Sequence, residues 1–166
     1  MTQKEKDEYY MKYAIGEAMK AKAKKDYGIG AVIIKDDQII CSVGNTRDEF
    51  PLDPTVHTET AVIRKTCEIL QSRYLQGCTL YSTHAPCAMC LGACVWARIS
   101  RVVYGTTQKD MVEFSKKQGE YAGRMGGLKW RGTEIEPEEL YPKLAIANPN
   151  MEIVPCILRE ECKKLY

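Results

Sequence analysis

The sequence predicts a three-layer α/β/α domain built on a mixed sheet of about five strands. Three observations predict it. Short β-branched runs alternate with stretches of helical periodicity, which places helices on both faces of a sheet. The first two runs flank Asp36-Asp37 as a hairpin, so the sheet includes an antiparallel pair. The chain has 166 residues, a length that lets a single domain bury roughly 70% of its unfolded surface without staples. One domain over 1–166 is the expectation.

The elements follow in order. Met11, Ile15, Ala18 and Met19 recur at helical spacing between lysines, giving a helix over 4–24. "AVIIKDDQIICSV" (31–43) is the hairpin. "GNTRDEFPLDPT" (44–55) is a loop by its glycine, asparagine, aspartate and proline content. A helix over 57–71 follows, with Thr55 or Asp53 as its cap. "CTLYS" (78–82) reads as a strand, and Pro86 suits the first turn of a helix over 87–98. "RVVYG" (101–105) is a strand and 108–117 a helix. Residues 118–150 are rich in glycine and proline and lack periodicity. "MEIVP" (151–155) is a short strand. "ILREECKKLY" (157–166) closes the chain as a helix whose early glutamates and late lysines match its dipole.

Composition narrows the function classes. Hydrophobic residues make up 45% and charged residues 28%, as in ordinary soluble domains. No run approaches the ~18 apolar residues of a membrane span. "MTQKEKDEYY" at the N-terminus does not read as a secretory signal. Eight cysteines without an export signal point to a reducing cytoplasm and to metal binding rather than to disulfides. A net charge of +2 permits a nucleic-acid partner without arguing for one.

The residues that carry chemistry lie in "HTETAVIRKTCEIL" (57–70) and "HAPCAMCLGACVWARISRVVYG" (84–105). His57 and the Cys87/Cys90 pair fall at the predicted starts of two helices, 30 residues apart. Cys87 and Cys90 share one helix face, and the positive helix end favours their thiolates. One imidazole and two thiolates suit Zn2+. Three protein ligands leave the fourth tetrahedral position open, the mark of a catalytic site. Glu59, two residues past His57, stands beside the metal as general acid–base. Cys94 lies a turn beyond Cys90 and reads as core. Cys41, Cys67, Cys78, Cys156 and Cys162 read as small core residues. His84 reads as a solvated loop residue, with the pocket mouth as the alternative.

H-x-E followed by P-C-x-x-C is the pattern of zinc deaminases. The segments quoted resemble the cytidine-deaminase-like superfamily, in the branch of guanine, cytosine and tRNA adenosine deaminases. The resemblance covers about 1–110 well and 151–166 loosely. It implies the α/β/α fold of that superfamily, a homodimer, and substrate contacts from Asn45, Thr58, Pro86, Trp96 and Asp110. "GAVIIKDDQIICSVGN" is similar to the family's first hairpin, which ends in an asparagine that bonds the base, here Asn45. Asp110 falls where guanine deaminases place an acid; capping the helix after the 101–105 strand is its alternative role. Thr58 and Ala85 depart from the residues usual at their positions.

The expected function is hydrolytic deamination of a nucleobase. Guanine or a related purine comes first, adenosine in tRNA second, cytosine third. A zinc-stabilised binding module is the non-enzyme alternative, and Glu59 argues against it, since a structural site needs no proton shuttle. An irregular insert at about 116–150 has no counterpart in the family. Its Lys116, Lys117, Arg124, Lys129 and Arg131, mixed with Tyr121 and Trp130, fit a lid, a dimer contact, an RNA surface or plain solvated surface.

Overall fold

The computed structural model describes residues 1–45, 49, 51–118, 130 and 132–166. Along the chain run α1 (Gln3–Ala23), β1 (Gly30–Lys35), β2 (Gln38–Gly44), α2 (Thr58–Leu70), β3 (Cys78–His84) and α3 (Ala88–Trp96). They are followed by β4 (Arg101–Thr106), α4 (Gln108–Gln118), α5 (Pro137–Leu144), β5 (Glu152–Val154) and α6 (Arg159–Lys163). The strands form one mixed sheet in the order β2-β1-β3-β4-β5. β1 is antiparallel to both neighbours, and β3, β4 and β5 are parallel. The predicted architecture is therefore the observed one.

Alternation along the strands divides the core in two. Val32, Ile34, Tyr81 and Val103 face α1 and α6, where they meet Tyr10, Met11, Ala14, Ala18, Cys162 and Leu165. Ala31, Ile33, Leu80 and Val102 face the opposite way and pack with Ala61, Val62, Leu91 and Val95 from α2 and α3. Two glycines permit the close approach of helices to the sheet. A Cβ at Gly30 would strike the Ala14 carbonyl of α1, and one at Gly105 would strike Cys162 of α6. The hairpin turns on Asp36 and Asp37, both at positive φ, a conformation aspartate tolerates better than most residues.

This topology decides where a site can form. β2, β3, β4 and β5 all point one way, so Gly44, His84 and Thr106 end at one edge, where β1 begins. α2 and α3 start there too. The opposite edge is closed by a buried ion pair. Arg101 grips Asp7 of α1 through two bonds of 2.6 and 2.8 Å, and Tyr81 donates to the same carboxylate at 2.9 Å.

The structure departs from expectation in three places. α2 is not capped by Thr55 or Asp53; His57 is its N-cap, and Thr60 Oγ1 accepts the His57 N–H at 2.9 Å. Asp53 instead bonds Thr55 within the loop. α5 lies inside the stretch expected to be irregular. Pro137 sits in its first turn, where a proline loses no helical bond. Cys156 is exposed at φ 63° and not in the core, while Cys78, Cys94 and Cys162 are buried and Cys41 and Cys67 half-buried. No helix among the described residues is long and apolar enough to cross a membrane.

Candidate metal centre and cleft

The N-termini of α2 and α3 meet at the sheet edge, and each presents a ligand as its N-cap: His57 for α2 and Cys87 for α3. Cys90 is the third residue of α3 and returns to the same face. His57 Nδ1 lies 3.6 Å from Cys87 Sγ and 3.5 Å from Cys90 Sγ, and the two sulphurs are 3.6 Å apart. Tetrahedral zinc with bonds of ~2.3 Å to sulphur and ~2.0 Å to nitrogen requires ligand separations of about 3.5–3.8 Å. The triangle of donors fits that ion, and these three form the metal-ligating group among the described residues.

The electrostatics agree with cation binding. The hydrogen bond with Cys90 holds the Cys87 thiol down to about 4, with burial opposing and His57 assisting. The same bond, together with burial, pushes the Cys90 thiol up. Bonding to Cys87 raises His57 against the effect of its burial. A cation bound between the two sulphurs would take the place of this hydrogen bond. Cys94 packs in the core and stands outside the group.

Glu59 is buried beside this triangle. Its Oε2 lies 3.5 Å from Cys90 Sγ, and Ser82 of β3 donates to its Oε1 at 3.1 Å. Burial raises its pKa above the usual carboxylate value. A cleft of about 880 Å³ opens over the centre, lined among others by Asn45, Val56, His57, Thr58, Glu59, His84, Ala85, Cys87, Gln108 and Trp130.

The polar side chains of the cleft are held from behind. Asn45 donates to Asp26 at 2.8 Å and accepts from the Thr58 hydroxyl at 3.2 Å, which fixes which end of its amide is oxygen. Thr58, expected among the substrate contacts, thus uses its side chain to orient Asn45. Gln108 bridges two walls. It donates to the Ala85 carbonyl at 2.6 Å and accepts from the Thr133 N–H at 3.0 Å.

Asp26, Ser82 and Gln108 escaped the sequence reading because each bonds residues distant in the chain. The alternation of β3, which puts Ser82 on the face of Ala31 and Leu80, was the one signal available. His84 is not a solvated loop residue. It ends β3 in the cleft wall, 8% exposed.

Three expected substrate contacts lie elsewhere. Trp96 is at the far end of α3 from the metal centre and 76% exposed. Pro86 is buried between Ala85 and Cys87 and does not line the cleft. Asp110 is 4% exposed and turned away from the cleft, gripped by Arg159 through bonds of 2.9 and 2.7 Å. It also exchanges bonds with Thr107, each 3.0 Å, in a reciprocal cap of α4. Of the insert, Lys116 and Lys117 are exposed at the end of α4, and Trp130 is buried against Tyr27 and Tyr166. Tyr121, Arg124, Lys129 and Arg131 lie outside the described residues.

With this geometry established, similarity to known proteins identifies the class. The family described as the cytidine and deoxycytidylate deaminase zinc-binding region matches residues 4–106. The chain belongs to this zinc-binding deaminase family. It is 37% identical over 156 residues to a tRNA-specific adenosine deaminase of Bacillus subtilis, covering 94% of this chain and 83% of that protein. A guanine deaminase of the same organism is 44% identical over 84 residues, covering 51% of this chain and 53% of the other. Among solved structures, one comes from studies of A-to-I editing by tRNA deaminases at the wobble position of transfer RNA. It is 28% identical with a TM-score of 0.73, covering 95% of this chain and 99% of that one.

The Asp110 geometry makes a direct prediction. Burial alone would raise its pKa, but the bonds from Arg159 and Thr107 outweigh burial and bring it down to about 2. A carboxyl whose folded pKa is depressed contributes stability above its unfolded pKa, near ~3.9, and loses it as pH falls toward the folded value. Asp110→Asn is expected to cost about 1–3 kcal/mol in urea denaturation at neutral pH. Its deficit should shrink between about pH 4 and pH 2, with kcat/KM unchanged. A variant of native stability and impaired kinetics would return Asp110 to the substrate site.

Proposed function

We propose that this chain hydrolytically deaminates adenosine presented by a structured RNA of the tRNA class, converting adenosine and water to inosine and ammonia. The observation that carries adenosine over guanine is the engagement of Asp110. Guanine offers an N1–H and a 2-amino group that a carboxylate would accept, and Asp110, the acid expected to do so, is occupied by Arg159 and Thr107. Adenine has neither donor. The similarity to the Bacillus subtilis tRNA-specific adenosine deaminase over 94% of the chain supports the same reading.

His57, Cys87 and Cys90 would hold the zinc, which as a Lewis acid lowers the pKa of a coordinated water to ~7. Glu59 takes a proton from the attacking water and delivers it to the ring nitrogen, then carries the remaining proton of the added hydroxyl to the departing amine. It is placed for this by Ser82 and by its position in the first turn of α2. Asn45 keeps a second N–H and a second lone pair for the base, since Asp26 and Thr58 take only one of each. Burial of Glu59 excludes bulk water from the proton path.

We read residues 1–166 as one deaminase domain, cytoplasmic and homodimeric. Eight free cysteines support a reducing compartment. Exposed Trp96 and open space beside Gly92 on the outer side of α3 support a second copy there. Guanine remains the second reading, favoured by the 44% identity to a guanine deaminase over 84 residues.

Two measurements test the proposal. Purified zinc-loaded protein is expected to form inosine in an adenosine-bearing anticodon stem-loop. The rate should fall steeply with added salt as phosphate contacts are screened. Release of ammonia from free guanine with the stem-loop untouched would reverse the choice of substrate. Glu59→Gln should retain zinc while kcat falls by at least ~10²-fold; near-normal turnover would place the proton shuttle elsewhere.

A further inference from the structure

The mechanism above does not use His84 of the cleft wall. His84 Nδ1 meets Thr106 Oγ1 at 3.0 Å, and that hydroxyl donates to the Thr83 carbonyl at 3.2 Å. With the single hydroxyl proton of Thr106 given to the Thr83 carbonyl, Thr106 accepts from His84, and the proton is assigned to Nδ1. Nε2 is then a bare lone pair. It has no partner among the described residues, it is not among their sealed, unpaired polar atoms, and its ring lines the cleft. The ring is held on its other side by Tyr166, edge to face at 6.4 Å. Burial keeps the ring neutral, lowering its pKa to about 4. The acceptor therefore persists through the neutral range.

We propose that His84 is a specificity-determining residue whose Nε2 accepts the 2′-hydroxyl of the target nucleotide, so that the cleft selects ribose over deoxyribose. This deepens the adenosine reading and rests on it. The argument is one of donor supply. An acceptor in the wall is useful only against a donor, and the one donor on adenine is the amine that leaves. The remaining donors of a nucleotide are its sugar hydroxyls. Within a strand the 3′ and 5′ oxygens are esterified, so only the 2′-hydroxyl can donate. The 880 Å³ cleft has room for the sugar as well as the base. A carboxylate could accept the same hydroxyl, but only at the cost of a second negative charge near Glu59. The neutral imidazole avoids that repulsion.

The test uses the zinc-loaded full chain and three stem-loops that differ only at the 2′ position of the target adenosine: hydroxyl, hydrogen or fluorine. Inosine formation gives kcat/KM for each. The wild type should prefer the hydroxyl by about 3- to 10-fold, as for one neutral hydrogen bond. The fluorinated substrate, which cannot donate, should behave like the deoxy one. His84→Leu should bring the ribose rate down to the deoxyribose rate with zinc content intact, and His84→Gln, whose amide oxygen can accept, should restore part of the preference. Fluorine performing as well as hydroxyl, or a preference that survives His84→Leu, overturns the assignment. The fluorine arm needs only wild-type protein, so it decides the matter even if the variants misfold. Inosine formed without ribose preference overturns this inference alone. No inosine from any of the three overturns the adenosine reading and this inference with it.

Discussion

Everything in this molecule depends on two helix starts meeting at one sheet edge. The donors of His57, Cys87 and Cys90 stand within 3.6 Å of one another although 30 residues of chain separate the first two. Neither helix could hold this position alone. α2 follows a long loop and α3 a three-residue turn, and each is seated by burying its inner face on the sheet. His57 and Cys87 are N-caps and Cys90 lies in the first turn of α3, so all three leave the helices at the ends with unpaired N–H groups and positive dipole. The same field favours thiolates at Cys87 and Cys90 and a carboxylate at Glu59. A cation set against two thiolates then joins the two helices as well as supplying chemistry.

The walls of the cleft obey a different logic. Their groups are fixed by pairs of hydrogen bonds that set both position and polarity. Asp26 and Thr58 orient the Asn45 amide, Ser82 orients the Glu59 carboxylate, and Thr106 sets the tautomer of His84. Gln108 ties the turn before Cys87 to the segment around Thr133. Specificity in such a cleft follows from which acceptors and donors are left over after this internal bonding. Asp110, buried and bonded to Arg159 and Thr107, offers none to the cleft, and His84 offers one.

The sequence made the fold legible because its signals were local. The hairpin at Asp36-Asp37, the alternation of β3 and β4, and the helical spacing of α1 and α2 each depend on neighbours a few residues apart. The metal ligands were legible for the same reason, since spacing within a helix start dictates a shared face. Side-chain partners were not. Nothing near Asp110 in the chain announces Arg159, which reaches it from α6, 49 residues away. His84 looked like loop because it follows a short strand signal, yet β3 runs on to include it, paired with Thr106 of β4. α5 was hidden by Pro137 and Pro142, which mark a loop unless a proline occupies the first turn. Trp96 carried family likeness without position: α3 is only nine residues long, and its last residue is two turns from the metal.

The central claim is an open-sided metal centre built from three residues. X-ray absorption at the zinc edge on freshly purified protein tests it most directly. The account predicts one zinc per chain with two sulphur neighbours at about 2.3 Å, one imidazole nitrogen at about 2.0 Å and one further light atom from solvent. Loss of a sulphur in Cys87→Ala should follow. A zinc with four protein ligands, or ammonia release by protein that holds no zinc, would contradict it.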